Sequence, residues 1–326
     1  MNAHEADDKI VLEASHIKKR FNLEAGFFAN YGKFVYAVND VSFSIGKNQT
    51  YGLVGESGCG KTTTARMIVG MYKTDSGIIS YKGSDTAKFS RAELKDYREK
   101  VKYIFQDPAR SLNPRMNIYQ VLTSGWRWSA HWQNHQVAKE QAAAILEETG
   151  LSADDLYRHP AEFSGGQRQR ISIARALIMQ PEVLICDEVV SALDVSIQGQ
   201  ILNLLQDLRE KRKLTYLFIT HDLKIACYFC DRIGVMYRGC LMEEADACDL
   251  YKTAAHPYTQ LLFESAQSFG TNSKGEVKTN IEELSGCPFA HRCPRATERC
   301  TKEMPPLADI SKGGSPHLIR CFEEAE

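Results

Sequence analysis

The chain has 326 residues, enough for about two domains or one large core with an appendage and too many for a small disulfide-stapled scaffold. Hydrophobic residues make up 43% and charged residues 25%, the balance of a globular protein rather than a disordered one. Lys and Arg number 40 against 41 Asp and Glu, a net charge of -1, so no global basic field gathers nucleic acid or anionic lipid, and any polyanion must be held locally.

No tandem period and no low-complexity tract is visible, so one copy of one core is expected. No run of about 18 apolar residues marks a membrane span. The acidic opening MNAHEADDK lacks the basic and apolar regions of a secretion signal, so the chain is expected to stay in the cytosol. There, clustered cysteines point to metal or redox chemistry more than to disulfides, and the placing of the ten cysteines says more than their number.

From Ile10, IVLEASHIKKRF and then AVNDVSFSI alternate apolar and polar residues, the period of half-buried strands, and predict an antiparallel edge region. Between them NLEAGFFANYGKF, rich in Gly, Asn and aromatic residues, reads as an inserted loop. TYGLVG predicts a short buried strand, followed by a glycine-rich turn and the helix-compatible TTTARMIVG. From about Asn117 to Glu162 apolar residues fall three and four apart, which predicts a helical subdomain. Trp126, Trp128 and Trp132 lie in it, as core or as a surface for a partner. VLICDE (183–188) and TYLFIT (215–220) are strand-length apolar runs separated by the amphipathic SIQGQILNLLQDLREKRK; strands alternating with helices predict a parallel sheet of βαβ units. REKRK (209–213) reads as a solvated helix end whose cations suit the helix dipole. After about Ser268 the chain turns polar and then cysteine-rich, which predicts a small separate module.

Residues 55–62, GESGCGKT, match G-x-x-x-x-G-K-S/T between a predicted strand and a predicted helix. The glycines let main-chain N–H groups turn toward one centre, the helix N-terminus adds partial positive charge, and Lys61 adds a full one. Thr62 can place its hydroxyl on Mg2+. Asp187 and Glu188 end the apolar run VLICDE. Asp187 suits the metal through its water shell; Glu188, one residue on and so pointing differently, suits an attacking water. A P-loop alone does not say which NTPase is present.

Further stretches narrow the choice. Gln106 lies in YIFQDPARSLNPRM, FSGGQ (Phe163–Gln167) precedes RQRISIARALIMQ, SALD follows Glu188 closely, and His221 comes directly after Thr220 at the end of the strand TYLFIT. With these residues, in the order Lys61, Gln106, Ser164, Asp187, Asp194, His221, the sequence resembles the ATP-binding subunits of ABC transporters from about Ile10 to the C-terminus. The resemblance implies an α/β P-loop NTPase fold: an ABC-type ATPase domain over 10–267, with a mixed sheet core, an antiparallel β region and a helical subdomain at about 107–163, then a C-terminal extension over 268–326. It implies ATP, held by Gly55, Glu56, Ser57, Gly58, Cys59, Gly60, Lys61, Thr62 and Thr63, and Mg2+, held by Thr62, Gln106 and Asp187. Glu188 looks like the general base, His221 like the switch residue at the γ-phosphate, and Gln106 like the metal and water sensor. Ser164, Gly165, Gly166 and Gln167 open a helix and form another anion-binding end, which in such ATPases meets the nucleotide of a second subunit, with Asp194 across the interface. One motif set per chain therefore implies a dimer. Phe21 is the expected aromatic against adenine, with Phe34 and Tyr36 as alternatives. Where such ATPases usually carry a proline after the base glutamate, this chain has Val189, which alters turn stiffness and removes no catalytic group.

QDPARSLNPRM, DVSIQGQIL and HPYTQLL (256–262) are similar to the peptide/nickel subfamily of importers, the oligopeptide and dipeptide permease ATPases. That similarity implies a peripheral protein on the cytoplasmic face of the bacterial inner membrane. Its partners would be two transmembrane permease subunits, a second ATPase subunit that is related but distinct, and an extracytoplasmic substrate-binding protein. Di- or oligopeptide import is the default, with nickel or another small solute as alternatives. The rival from another class is a soluble ABC ATPase acting on nucleic acid or in translation, but two motif sets, long coiled insertions and basic surfaces are all missing, so no nucleic acid is expected. Cys287, Cys293, Cys300 and Cys321 form C-x5-C-x6-C-x20-C, four thiolates suited to an iron–sulfur cluster or to tetrahedral Zn2+, with His291 as a competing ligand. Subfamily members with this tail resemble 4Fe-4S carriers, which favours the cluster. Cys59, Cys186, Cys227, Cys230, Cys240 and Cys248 read as non-ligand thiols.

Overall fold

The computed structural model describes residues 10–22, 34–129, 131–267 and 285–325. The inserted loop expected after the first strand falls largely on 23–33, and the module boundary expected near residue 268 falls on 268–284, outside the described residues. The chain divides into two compact units, one made of residues up to 88 and from 217 onward, the other of residues 89–216. In chain order the strands are β1 (Ile10–Asn22), β2 (Phe34–Gly46), β3 (Thr50–Val54), β4 (Ser76–Tyr81) and β5 (Ser84–Asp85). In the second unit come β6 (Val101–Ile104) and β7 (Val183–Asp187); β8 (Thr215–Thr220) carries the chain back, to β9 (Arg232–Tyr237), β10 (Cys240–Asp246), β11 (Ala308–Asp309) and β12 (Leu318–Ile319).

In the first unit β1 pairs antiparallel with β2, from Ile10 opposite Gly46 to Asn22 opposite Phe34, in the strand order β2-β1-β4-β5. This is the antiparallel region that the alternation predicts. His16, at φ +50°, sits at an irregularity in the register that returns Ile17 to the buried face already occupied by Leu12 and Ala14. β3 is buried at every residue, so it reads as an apolar run and not as an alternation. β9 runs parallel to β3, with Tyr51 opposite Arg232. A two-residue turn at Arg238 and Gly239, both at positive φ, sends the chain back as antiparallel β10.

The C-terminal region extends that side of the sheet, in the order β11-β12-β10-β9-β3. Arg320 fastens it: its main-chain N–H donates to the Met242 carbonyl at 2.8 Å. Its guanidinium donates to the Leu241 and Pro305 carbonyls at 2.9 and 3.2 Å.

In the second unit β6 and β7 pair parallel, from Val101 opposite Val183 to Ile104 opposite Cys186. Capping boxes at Ser90/Glu93 and Asn117/Gln120 open the helices Arg91–Lys100 and Ile118–Trp126, and Asn134 caps His135–Glu148. The helix Ile118–Trp126 buries Ile118, Val121, Leu122 and Trp126, the three- and four-residue step of its sequence. The tryptophans divide: Trp126 is core and meets Trp132 edge-on at 5.4 Å, whereas Trp128 is 77% exposed.

Fully buried Glu243 on β10 accepts the N–H groups of Ala255 and His256 at 2.8 and 3.1 Å. His317 meets it through Nε2 at 2.7 Å. His256 accepts the Tyr258 N–H on its Nδ1 at 3.0 Å, which requires an unprotonated nitrogen. Burial pulls the His256 pKa from 6.5 down to about 4, against the opposing pull of Glu243. The unfolded chain takes up this proton at a higher pH than the folded one. The associated stability is therefore complete above pH 6.5 and is lost as the pH falls toward about 4. Between about pH 7 and pH 4.5, urea unfolding should show the wild type losing about 2 kcal/mol more than His256→Gln; parallel curves would remove His256 from this role.

Candidate functional site

The glycine-rich loop lies where the sequence puts it, between β3 and the helix Lys61–Ile68. Gly55, Gly58 and Gly60 all have positive φ, at +155°, +81° and +112°. Two of them are also pressed against backbone: a Cβ on Gly55 would lie 2.1 Å from the Met236 carbonyl oxygen, and one on Gly60 would lie 2.1 Å from that of Ala37. Lys61 is 4% exposed, and its ammonium donates to the carbonyls of Gly55 at 2.7 Å and Glu56 at 3.0 Å. Beside it, burial raises the Cys59 thiol pKa, with Lys61 pulling the other way, so this cysteine is packed and not poised as a nucleophile. Thr62 and Thr63 are half-buried on the first helical turn, and Ser57 and Gly58 are exposed at the loop's tip.

Two contacts on this loop have no counterpart in the motif reading. The Glu56 N–H donates to the Tyr258 hydroxyl at 3.0 Å, and the Glu56 carboxylate is forked by Arg292. Tyr258 lies in HPYTQLL, which the sequence marks as unusual without saying what it touches. Arg292 carries no sequence signal beyond its place between two of the clustered cysteines.

In the second unit Asp187 ends β7 almost fully buried, at 2% exposure, and accepts a hydrogen bond from the Tyr103 hydroxyl of β6. Glu188 has already left the strand, at φ +48°. The two acids therefore diverge through a left-handed turn and not through the pleat of a continuing strand, as the sequence reading has it. Gln106 Nε2 donates to Glu188 Oε2 at 2.8 Å, so the sensor and base candidates are neighbours. Ser191 closes the turn, its N–H and hydroxyl both donating to the Glu188 carbonyl, at 3.2 and 2.9 Å. Val189 and Val190 bury their side chains here, anchoring a turn that has no proline.

Ser164 caps the helix Gly165–Leu177 by a closed box: Ser164 Oγ accepts the Gln167 N–H at 3.3 Å and Gln167 Oε1 accepts the Ser164 N–H at 2.9 Å. Arg168 holds the approach to this cap, donating to the Pro160 and Ala161 carbonyls at 2.8 and 3.2 Å. Ser164 and Gly165 are exposed, Gly166 is half-buried, and a Cβ on Gly166 would meet Ile197 Cγ2 at 2.7 Å. Asp194 stands exposed at the start of the helix Val195–Arg212, followed by Val195 at 84% exposure.

In the first unit His221 is exposed just after β8. The aromatic candidates share the far end of the β1–β2 pair. Phe21 lies opposite Val35 and edge-on to Tyr72 at 5.3 Å, Phe34 lies under the Arg20 guanidinium at 4.4 Å, and Tyr36 is opposite Arg20.

None of the ten cysteines, all of them described, is in a disulfide. Cys287 is pushed up to about 11, first by burial and further by the neighbouring thiols of Cys300, Cys321 and Cys293. The Cys287 N–H donates to the Cys300 carbonyl at 2.8 Å, which joins two arms of the motif. Among the described residues, however, no three His, Cys, Asp or Glu side chains are gathered closely enough to hold a metal ion.

A family profile described as ABC transporter matches residues 38–191, and one described as the oligopeptide/dipeptide transporter C-terminal region matches 242–300. The oligopeptide transport ATP-binding protein AppF of Bacillus subtilis is 40% identical, covering 97% of this chain and 98% of its own length. A Brucella ovis protein described as a peptide import ATP-binding protein is 41% identical over 88% of this chain and 92% of its own. Among solved structures, the ATP-binding cassette MJ0796, a dimer in a post-hydrolysis state with ADP and Pi, is 25% identical at a TM-score of 0.64 and covers 72% of this chain and 98% of its own. The fold is also that of cbiO1 from Clostridium perfringens, part of the ABC transporter complex cbiONQ, with a TM-score of 0.64 at 24% identity over 76% of this chain and 92% of its own.

The glycines of the loop differ in what a side chain would meet, and that difference can be measured. Gly58 faces open space, so Gly58→Ala is charged only for its positive φ, about 1 kcal/mol in urea unfolding. Gly60→Ala adds a collision with the Ala37 carbonyl and is expected to cost at least about twice as much; equal losses would show that the loop yields at Gly60.

Proposed function

This chain belongs to the ABC transporter ATP-binding proteins of the oligopeptide/dipeptide import family, and from that premise we propose how its residues use ATP to drive peptide uptake. The phosphate loop takes the polyphosphate: its main-chain N–H groups and the Lys61 ammonium are the donors, and Lys61 exchanges its two carbonyl partners for phosphate oxygens. Mg2+ would be held by Thr62, Gln106 and Asp187, whose donors are all oxygens, the ligand type that this hard cation takes. When bound, the ion neutralises phosphate charge.

Glu188 acts as the general base toward water, Gln106 holds its carboxylate in place, and His221 contacts the γ-phosphate. The hydrogen bond from Gln106 to Glu188 is the observation that supports the roles of those two residues, because a base oriented by a second side chain needs no reorganisation when water arrives. Ser164 to Gln167 and Asp194 address the nucleotide of a second ATPase subunit. Their exposure and the dimeric state of the MJ0796 cassette support that assignment. Binding closes the pair, hydrolysis reopens it, and two permease subunits are driven between two facings, with an extracytoplasmic binding protein delivering the peptide. No helix among the described residues is long and apolar enough to cross a membrane, which suits a peripheral subunit on the cytoplasmic face of the inner membrane.

The four C-terminal cysteines would carry a 4Fe-4S cluster, with Zn2+ as the alternative. Four thiols within one stretch of the chain are the right donor chemistry. Their present spacing does not gather them round an ion, so no step of the ATPase reaction is routed through the group.

Glu188→Gln should lower the ATP hydrolysis rate by about a hundredfold or more while ATP binding is retained; unchanged turnover would remove Glu188 from its role. Protein prepared without oxygen should contain about four iron and about four acid-labile sulfide atoms per chain. Zinc alone would select the alternative, and neither metal would leave the cysteines as thiols.

A further inference from the structure

The phosphate loop is gripped from the far end of the chain. Arg292 donates from Nη1 to Glu56 Oε2 at 2.9 Å and from Nη2 to Glu56 Oε1 at 3.0 Å, a two-pronged match of guanidinium to carboxylate. Both side chains are 23% exposed, so the pair is partly shielded from water. The guanidinium lies 5.7 Å from the ring centres of both Tyr237 and Phe289. These rings pack with Tyr258, at 4.6 Å from Tyr237 and 5.4 Å from Phe289, and the Tyr258 hydroxyl holds the Glu56 N–H. One residue of the loop is thus held at its main chain and at its side chain by the same C-terminal cluster.

The grip begins inside the cysteine motif. The Ala290 N–H donates to the Cys287 carbonyl at 3.1 Å, and the N–H groups of Arg292 and Cys293 both donate to the Phe289 carbonyl, at 2.9 and 3.0 Å. The turn from Cys287 to Cys293 therefore sets where Arg292 stands. Meanwhile Glu56 puts a carboxylate on the loop that must receive a polyanion. Unpaired, that charge repels phosphate and its side chain is free to swing; forked by Arg292, it is neutralised and fixed.

We propose that Arg292 is a positioning residue of the phosphate loop: by pairing with Glu56 it lets the loop present no free negative charge to the triphosphate, and so the cysteine-bearing C-terminal module sets the affinity for nucleotide. The inference rests on the ATP-binding reading above. Its test is a binding cycle on the full chain, with a fluorescent ATP analogue and Mg2+ as the probe. Arg292→Ala is expected to weaken binding about tenfold when Glu56 is present, and by less than about twofold in a Glu56→Gln background, because the harm comes from the carboxylate set loose. In the hydrolysis assay the same loss should appear in KM and leave kcat within about twofold. Arg292→Ala binding as tightly as the wild type would overturn the proposal. So would an equal loss in both backgrounds, which is what simple damage to the module produces. A wild-type chain that binds no nucleotide would strike instead at the ATP-binding reading and take this inference with it.

Discussion

Main-chain N–H groups can converge on an anion only where the backbone turns through angles that side chains resist, and the loop that does so must be walled in to keep that shape. Here the walls are carbonyls. Ala37 on β2 and Met236 on β9 stand where Gly60 and Gly55 would carry a Cβ, so two strands remote in sequence define the curve of the loop. The stitching is continuous: the Gly239 N–H donates to the Cys59 carbonyl and the Asn39 N–H to the Gly239 carbonyl, at 2.8 and 2.7 Å. Lys61 completes the frame from within. Its ammonium already spends two donors on the loop's own carbonyls, so the proposed uptake of phosphate would be an exchange of acceptors and not the capture of a bare cation.

The two acids of the second unit show how adjacent residues acquire different chemistry. Asp187 keeps strand geometry and is buried under the Tyr103 hydroxyl, which fixes a carboxylate that has little room to move. Glu188 takes a left-handed conformation that a non-glycine residue adopts at a cost, turns out of the sheet, and meets Gln106. A strained backbone angle at the proposed base is held by the buried valines and by Ser191, with no proline needed to stiffen the turn.

What the sequence makes legible is local. GESGCGKT between an apolar run and a helical pattern, FSGGQ ahead of a helix and an acid pair at a strand end all lie within a few residues of the elements that give them meaning, and the ABC-type α/β fold with its antiparallel region follows from them. The left-handed turn at Glu188 is not legible, since the residue is not glycine and the apolar run VLICDE reads as a strand that continues through it. Nor are the partners of Glu56, which stand 202 and 236 residues away along the chain. Tyr258 sits in a motif and Arg292 beside one, but periodicity and spacing report neighbours in sequence, and these are neighbours only through the fold. The cysteine motif shows the reverse: its spacing speaks for a metal group, while among the described residues the thiols are not gathered round an ion.

The C-terminal region is tied to the glycine-rich loop for a reason of size. Among the described residues from 285 onward the buried apolar side chains are few, Phe289 and Ile319 among them, too few for a core that holds alone. Order is borrowed: β12 from the edge of β10, Arg320 from the carbonyls of Leu241 and Pro305, and Phe289 from the rings of Tyr237 and Tyr258. Tyr237 ends the strand whose Met236 walls the phosphate loop, and Tyr258 holds that loop's amide. The surface that stabilises the module is the same surface that shapes the loop. Under the proposed coupling, what tightens one would be felt in the other by the same free energy, since linkage between two sites runs equally in both directions.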